Sequence, residues 1–272
     1  MRMMIAVLLV ALWFASPPPD ASPALAGIAH VAFRVRDVPN SRDFYRTLGF
    51  EESFAFADPG KPPVSYIKIN DRQFIELYGR ADDSQSEGLL HICYEAADIT
   101  ALWNEYAKRG INTPAPRKAR AGNLLFAFHD PEGQLVEYTQ YLPGSLHFED
   151  RGKHLGDRRI SQHLVRAVMA VQDPAAERQY FTSILAFEKI NDSRAVRLRL
   201  PGNSGHEVEL AATSPTTKPR IVLTVPDLAR AAEELRSRAI AVNSSTGSIS
   251  ISDPDGAVIE FIQENSETRS KS

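Results

Sequence analysis

Four tandem β-α-β-β-β modules, an α+β arrangement, are what the order of apolar runs in this 272-residue chain predicts. Three observations lead there. An apolar strand-like run, an aspartate and a helical segment follow one another four times, with the aspartates at Asp37, Asp98, Asp173 and Asp227. Further strand-length runs follow each helical segment. Asp-Pro-x-Gly occurs twice, at Asp130-Pro131-Glu132-Gly133 and Asp253-Pro254-Asp255-Gly256, each time ahead of a strand carrying a glutamate. Its proline fixes φ and its glycine permits positive φ, so it reads as a tight turn. Repeated units of this kind each leave an apolar face that a neighbour must cover.

The chain opens on residues 1–26, which read as a signal peptide. Arg2 precedes an apolar run from Met3 to Ala15, and Ala24-Leu25-Ala26 offers a small-x-small cleavage pattern after the prolines Pro17 to Pro19. A cut near Ala26 or near Ala15 makes the protein exported, periplasmic or secreted; a retained N-terminal anchor is the alternative. The run is too short to span a bilayer comfortably, so no stable membrane span is expected after cleavage. Cys93, the single cysteine, has no partner for an internal disulfide and reads as a small core residue.

In the first module residues 30–36 read as a strand, Asp37 as the cap of a helix from Asn40 to Leu48 ended by Gly49, and Phe50 to Phe56, Val64 to Ile69 and Gln73 to Tyr78 as strands. The second has a strand around His91, a helix from Ile99 to Arg109 capped by Asp98, and strands from Ala121 to His129 and Gln134 to Tyr138. These two modules make a first domain, 27–141. Residues 142–161, rich in Gly, Asp, Arg and His, read as a linker able to pack across the domain boundary, with His147 and His154 as solvent histidines. The third module runs from His163 to Ala212, its helix opened by Asp173-Pro174, and the fourth from Arg220 to Ile262, its helix capped by Asp227. They make a second domain, 162–264, followed by a polar tail, 265–272, expected to be disordered.

Composition excludes one class of partner. A net charge of -3 from well-mixed signs, with 24% charged residues, lacks the basic stripe that a phosphate backbone demands. A small-molecule substrate is expected and nucleic acid is not.

The residues that suggest chemistry lie in the first domain. Forty-six positions separate His30 from Glu76, and the same number separates His91 from Glu137. An imidazole near the start of each module and a carboxylate near its end are ligands of hard to borderline cations. Glu76 lies between Ile75 and Leu77, and Glu137 between Val136 and Tyr138, so in strands each points away from its apolar neighbours and inward. A lone carboxylate there is costly. A histidine in an apolar strand is ordinarily a satisfied core residue; the paired glutamates favour one divalent metal held by His30, Glu76, His91 and Glu137.

The run HVAFRVRD, the following FYRTLGF and the twice-used Asp-Pro-x-Gly before a strand glutamate resemble the vicinal oxygen chelate (VOC) superfamily of glyoxalases, bleomycin resistance proteins and extradiol dioxygenases. The resemblance covers about residues 28–263. It implies that the modules pair into two incomplete barrels, with first-strand ligands at His30 and His91 and last-strand ligands at Glu76 and Glu137. The second half departs from the pattern: Arg166 and Arg220 stand at the histidine positions, while Glu209 and Glu260 keep the carboxylate places. A guanidinium has no lone pair for a metal, so the second domain is expected to be metal-free, with charge pairs in its cleft. Two-barrel extradiol dioxygenases commonly place their iron in the later barrel, the reverse of this chain. Two barrels in one chain leave an oligomer possible but not required.

Two histidines and two carboxylates suit Ni, Zn, Mn, Co or Mg. The resemblance then implies a lyase or isomerase that moves a proton through an enediolate of a small, vicinally oxygenated substrate, with Glu137, or else Glu76, as the proton carrier. Fe(II) and a ring-cleaving extradiol dioxygenase are the alternative, with His129 and Tyr138 as acid-base candidates. A third reading is binding without turnover in a cleft lined by Phe33, Phe54, Phe56, Tyr66, Phe126 and Phe128.

Overall fold

The structure, a computed structural model, describes residues 24–193 and 195–264. The first module is β1 (Leu25–Val35), α1 (Val38–Thr47), β2 (Glu51–Phe56), β3 (Val64–Asn70) and β4 (Gln73–Gly79). The second is β5 (Gly88–Ala96), α2 (Ile99–Lys108), β6 (Arg117–Lys118), β7 (Leu124–His129) and β8 (Leu135–Gln140). A short helix, α3 (Leu146–Glu149), follows in the junction. The third module is β9 (His163–Val171), α4 (Pro174–Ser183), β10 (Glu188–Ile190), β11 (Val196–Arg199) and β12 (Glu207–Ala212). The fourth is β13 (Arg220–Val225), α5 (Leu228–Ser237), β14 (Asn243–Ser245), β15 (Ser248–Ser252) and β16 (Val258–Gln263).

Modules pair into two sheets of one design. The strand orders are β2-β3-β4-β1-β5-β8-β7-β6 and β10-β11-β12-β9-β13-β16-β15-β14. In every module the first strand lies parallel to the last, and the two first strands of each sheet meet antiparallel at its centre. The four aspartates act as expected: Asp37, Asp98, Asp173 and Asp227 each accept a backbone N–H in the first turn of their helix.

Strand alternation divides each barrel's side chains between two environments. Ile75 and Leu77 of β4, Ile92 and Tyr94 of β5, and Val136 and Tyr138 of β8 join one apolar core that runs through both halves of the molecule. The opposite face of the first sheet carries a separate cluster containing Ala29, Tyr66, Phe74, Cys93 and Tyr141, with Phe54, Phe56 and Tyr78 against it. That inner face is the candidate cleft.

The two Asp-Pro-x-Gly turns also staple one barrel to the other. Glu132 accepts the backbone N–H groups of Gln172 and Asp173 at the start of α4, 2.7 and 2.8 Å away. Asp255 accepts from Arg36 N and Ser41 Oγ beside α1, at 3.1 and 2.9 Å. Beneath the first turn, Asp130 Oδ2 and Glu177 Oε1 are buried without a donor among the described residues. Burial, then the charge of Asp130, pushes the Glu177 carboxyl up to about 7, and Asp130 is raised as well, chiefly by burial. A carboxyl raised in the fold favours folding at low pH and loses that contribution as pH climbs through its folded value. Thermal stability is therefore expected to fall between about pH 4.5 and 7, and Glu177→Gln to flatten that slope; an unchanged slope in calorimetry contradicts the raised Glu177 carboxyl.

Both ends of the chain bear on the sequence expectations. Residues 1–23 of the expected leader and the tail 265–272 lie outside the described residues. Leu25 is buried in β1 and its N–H bonds to Pro201 O at 2.9 Å. A cut near Ala26 removes that residue; a cut near Ala15 keeps β1 whole. Among the described residues no helix is long and apolar enough to cross a membrane.

The junction differs from an open linker. Ser145 caps α3, and Ser145, His147 and Asp150 are buried. Lys68 of β3, fully buried, donates to Asp150 Oδ2 at 2.9 Å, to the backbone carbonyls of Asp150 and Lys153, and pairs with Asp71 Oδ1 at 2.9 Å. His147 was expected in solvent; it is only 2% exposed, because this anchor draws the segment against the first barrel.

Candidate metal centre

His30 and His91 stand on the two antiparallel central strands, and the register places their neighbours. On one row His91 of β5 lies opposite Ala32 of β1, which lies opposite Glu76 of β4. On the next, His30 lies opposite Cys93, which lies opposite Glu137 of β8. The four sequence-derived residues therefore converge from four strands, with Cys93 between two of them.

Their polar atoms lie close together. His30 Nε2 is 3.1 Å from His91 Nε2 and 3.3 Å from Glu137 Oε1, and His91 Nε2 is 3.8 Å from that same oxygen. Donors about 2.1 Å from one ion lie about 3.0 Å apart at right angles and about 3.4 Å apart in a tetrahedron, so this triangle fits a first-row divalent cation. Glu76 stands behind it: Oε1 is 3.2 Å from His30 Nδ1, and Oε2 accepts from Tyr78 Oη at 2.9 Å. His30, Glu76 and His91 have ligand atoms within 4.8 Å of one another, as do His30, Cys93 and Glu137.

Electrostatics separates the carboxylates. Burial pushes Glu76 up to about 7 against the opposing effect of His30. Burial also acts to raise Glu137, but the His30 hydrogen bond and the nearby charge of His91 outweigh it and bring the group down to about 2. Burial lowers His91 to about 4, which leaves a neutral imidazole with a free lone pair. His30 is also drawn down by burial, yet Glu76 and Glu137 leave it raised overall. Burial, then Glu137 and Glu76, hold the Cys93 thiol protonated, so it is not a nucleophile.

The Glyoxalase/Bleomycin resistance protein/Dioxygenase superfamily model matches residues 27–138, the barrel that carries this centre. The match covers the first barrel. The fold of the chain is similar to several solved structures. A variant of homoprotocatechuate 2,3-dioxygenase from B. fuscum aligns with a TM-score of 0.67 at 17% identity, over 92% of this chain and 74% of the other. The Mn(II)-bound glyoxalase from Novosphingobium aromaticivorans gives 0.67 at 18%, over 89% and 83%. The 2,3-dioxygenase LapB from Pseudomonas sp. KL28 gives 0.67 at 16%, over 90% and 94%. No curated protein matches the sequence significantly.

The second barrel carries different residues at the same addresses. Glu209 lies opposite Val168, two residues beyond Arg166, as Glu76 lies opposite Ala32, two beyond His30. Glu260 lies opposite Val222, two beyond Arg220, as Glu137 lies opposite Cys93, two beyond His91. There Arg220 bridges Glu209 and Glu260, and Arg166 lies 3.5 Å from Glu209. Both pairs the sequence suggested, Arg166 with Glu209 and Arg220 with Glu260, form, and Arg220 also reaches Glu209, so that one guanidinium joins both carboxylates.

Some residues expected at the superfamily site lie elsewhere. Tyr138 packs in the outer core with its hydroxyl 3.1 Å from that of Tyr106, and His129 is exposed at the end of β7. Neither acid-base candidate reaches the centre. Phe54, Phe56 and Tyr66 do line the inner face, whereas Phe33, Phe126 and Phe128 belong to the outer core. Sequence reasoning missed Phe74 and Tyr78, although the two-residue alternation through Glu76 places them on its face.

Proposed function

We propose that the chain is a divalent-metal-dependent enzyme of the VOC superfamily whose one ion sits in the first barrel, held by His30, His91 and Glu137 with Glu76 in reach. The carrying observation is charge. At matching addresses in the two barrels a pair of glutamates faces two arginines in the second and two histidines in the first. The second cleft balances its carboxylates with guanidinium; the first has the same buried pair and no fixed cation, which favours a bound one.

A bound ion would supply Lewis acidity toward adjacent substrate oxygens. His30 and His91 would offer the nitrogen donors, His91 already neutral, and Glu137 the charged oxygen. Glu76, outside the donor triangle with Oε1 3.2 Å from His30 Nδ1, is the one of the two sequence candidates, Glu137 and Glu76, that we assign to proton transfer. Tyr78, donating to Glu76 Oε2, steadies its anionic form. The export leader expected from the sequence favours an activity outside the cytoplasm and a substrate other than a glutathione hemithioacetal.

A second reading is favoured by the triangle itself. Two histidines and one carboxylate on one face are the arrangement of non-haem Fe(II) oxygenases, and the aromatic inner wall suits a planar ring. Oxygen separates the readings. Metal-loaded protein that converts 2-hydroxycarbonyl compounds equally under air and nitrogen supports proton transfer; consumption of catechols only under air, with oxygen uptake, replaces it with ring cleavage.

A further inference from the structure

The metal centre does not exhaust the polar groups inside the first barrel. His147, delivered by α3, is 2% exposed, and neither ring nitrogen has a hydrogen-bond partner among the described residues. Four rings enclose it: Tyr141 stacks on it at 4.4 Å between centroids, and Phe54, Phe74 and Tyr66 meet it edge-on at 5.0, 5.0 and 5.5 Å. Two of these are neighbours of the centre. Phe74 shares the inner face of β4 with Glu76, and Tyr66 lies directly across from Glu76 on β3. His147 is therefore one side chain away from the proposed proton carrier.

An apolar box of this kind is better filled by leucine, which has nothing to hydrogen-bond. A neutral imidazole has one donor and one acceptor, and burying both unpaired is costly. Its placement is not loose, since Asp150 at the end of α3 is held by buried Lys68 and by His154 Nδ1 at 2.6 Å. A pinned, unpaired polar group in an aromatic wall beside a chelating centre suits recognition of a ligand that is flat and apolar in its body and polar at the end away from the ion.

We infer that His147 is a specificity-determining residue that hydrogen-bonds the distal polar substituent of a planar, ring-bearing substrate whose two adjacent oxygens face His30, His91 and Glu137. This rests on the metal reading above and adds the substrate's far end to it. Junction residues 145–153 then form part of the binding site.

The test uses the full chain loaded with Zn(II) under nitrogen, with metal content measured first, and two probes: 4-nitrocatechol, which has a distal polar group, and catechol, which lacks one. His147→Leu is expected to retain its metal and melting temperature, to weaken 4-nitrocatechol at least about tenfold, the scale of one lost hydrogen bond, and to change catechol less than about threefold. His147→Gln, which keeps a donor and an acceptor, is expected to stay within about threefold of wild type for both. Equal losses for the two probes in both variants, or no loss for either, overturn the role while leaving the metal reading intact. Metal uptake by the wild type without binding of either probe overturns the substrate class. Failure of the wild type to take up metal overturns both.

Discussion

Replacing His91 with alanine is expected to strip the first barrel of its ion. Losing a group that merely orients a ligand typically costs 10–100-fold in metal affinity, so losing a donor itself is expected to exceed about 100-fold. His91 is the sharper choice of the two histidines, because burial lowers it to about 4 and keeps its lone pair available across the neutral range. Catalytic efficiency should fall with metal content and return only in part when excess metal is added. His129→Ala, at an exposed position far from the triangle, is the control and should leave metal content unchanged. Elemental analysis after desalting measures both. Full occupancy in the His91 variant removes this histidine from the coordination sphere.

The second large effect is on stability. Lys68 is fully buried and its ammonium is shared by Asp150, Asp71 and two backbone carbonyls. Lys68→Met leaves the Asp150 carboxylate, itself 8% exposed, without its main counter-charge. Breaking a buried pair costs about 3–5 kcal/mol, and the lower end applies here because Asp71 is partly solvated. At roughly 2–4 °C per kcal/mol for a chain of this size, the melting temperature should drop by about 6–12 °C. The double variant Lys68→Met with Asp150→Leu should recover part of the loss, since both charges are then gone. A drop under about 2 °C in scanning calorimetry means that the junction is not pinned by this contact. If it is pinned, loosening α3 should also weaken 4-nitrocatechol binding through His147.

Much of this architecture was readable in the amino-acid order, and the reasons differ by element. The helix of each module is announced by an aspartate that the structure shows capping it, and the equal spacing of His30–Glu76 and His91–Glu137 follows from parallel pairing of first and last strands in each module. Inner and outer aromatics were harder to separate. Phe33 sits on a central strand buried on both faces, so no polar alternation marks the side on which it packs, and it joins the outer core while Phe54 of edge strand β2 faces inward. The junction was least legible. Lys68, His147 and Asp150 are residue types usually met in solvent, and their burial depends on contacts across some 80 residues that no local pattern encodes. The arginines of the second barrel signalled charge pairs there, but not that Arg220 would span Glu209 and Glu260, which follows from the way β12 and β16 flank the two central strands.

Anomalous diffraction from crystals grown with Co(II) tests the central claim most directly. The account predicts one strong peak per chain, about 2.1 Å from His30 Nε2, His91 Nε2 and a Glu137 oxygen, and none between Arg166 and Arg220. A peak in the second barrel, or cobalt bound only outside the His30–His91–Glu137 triangle, contradicts it.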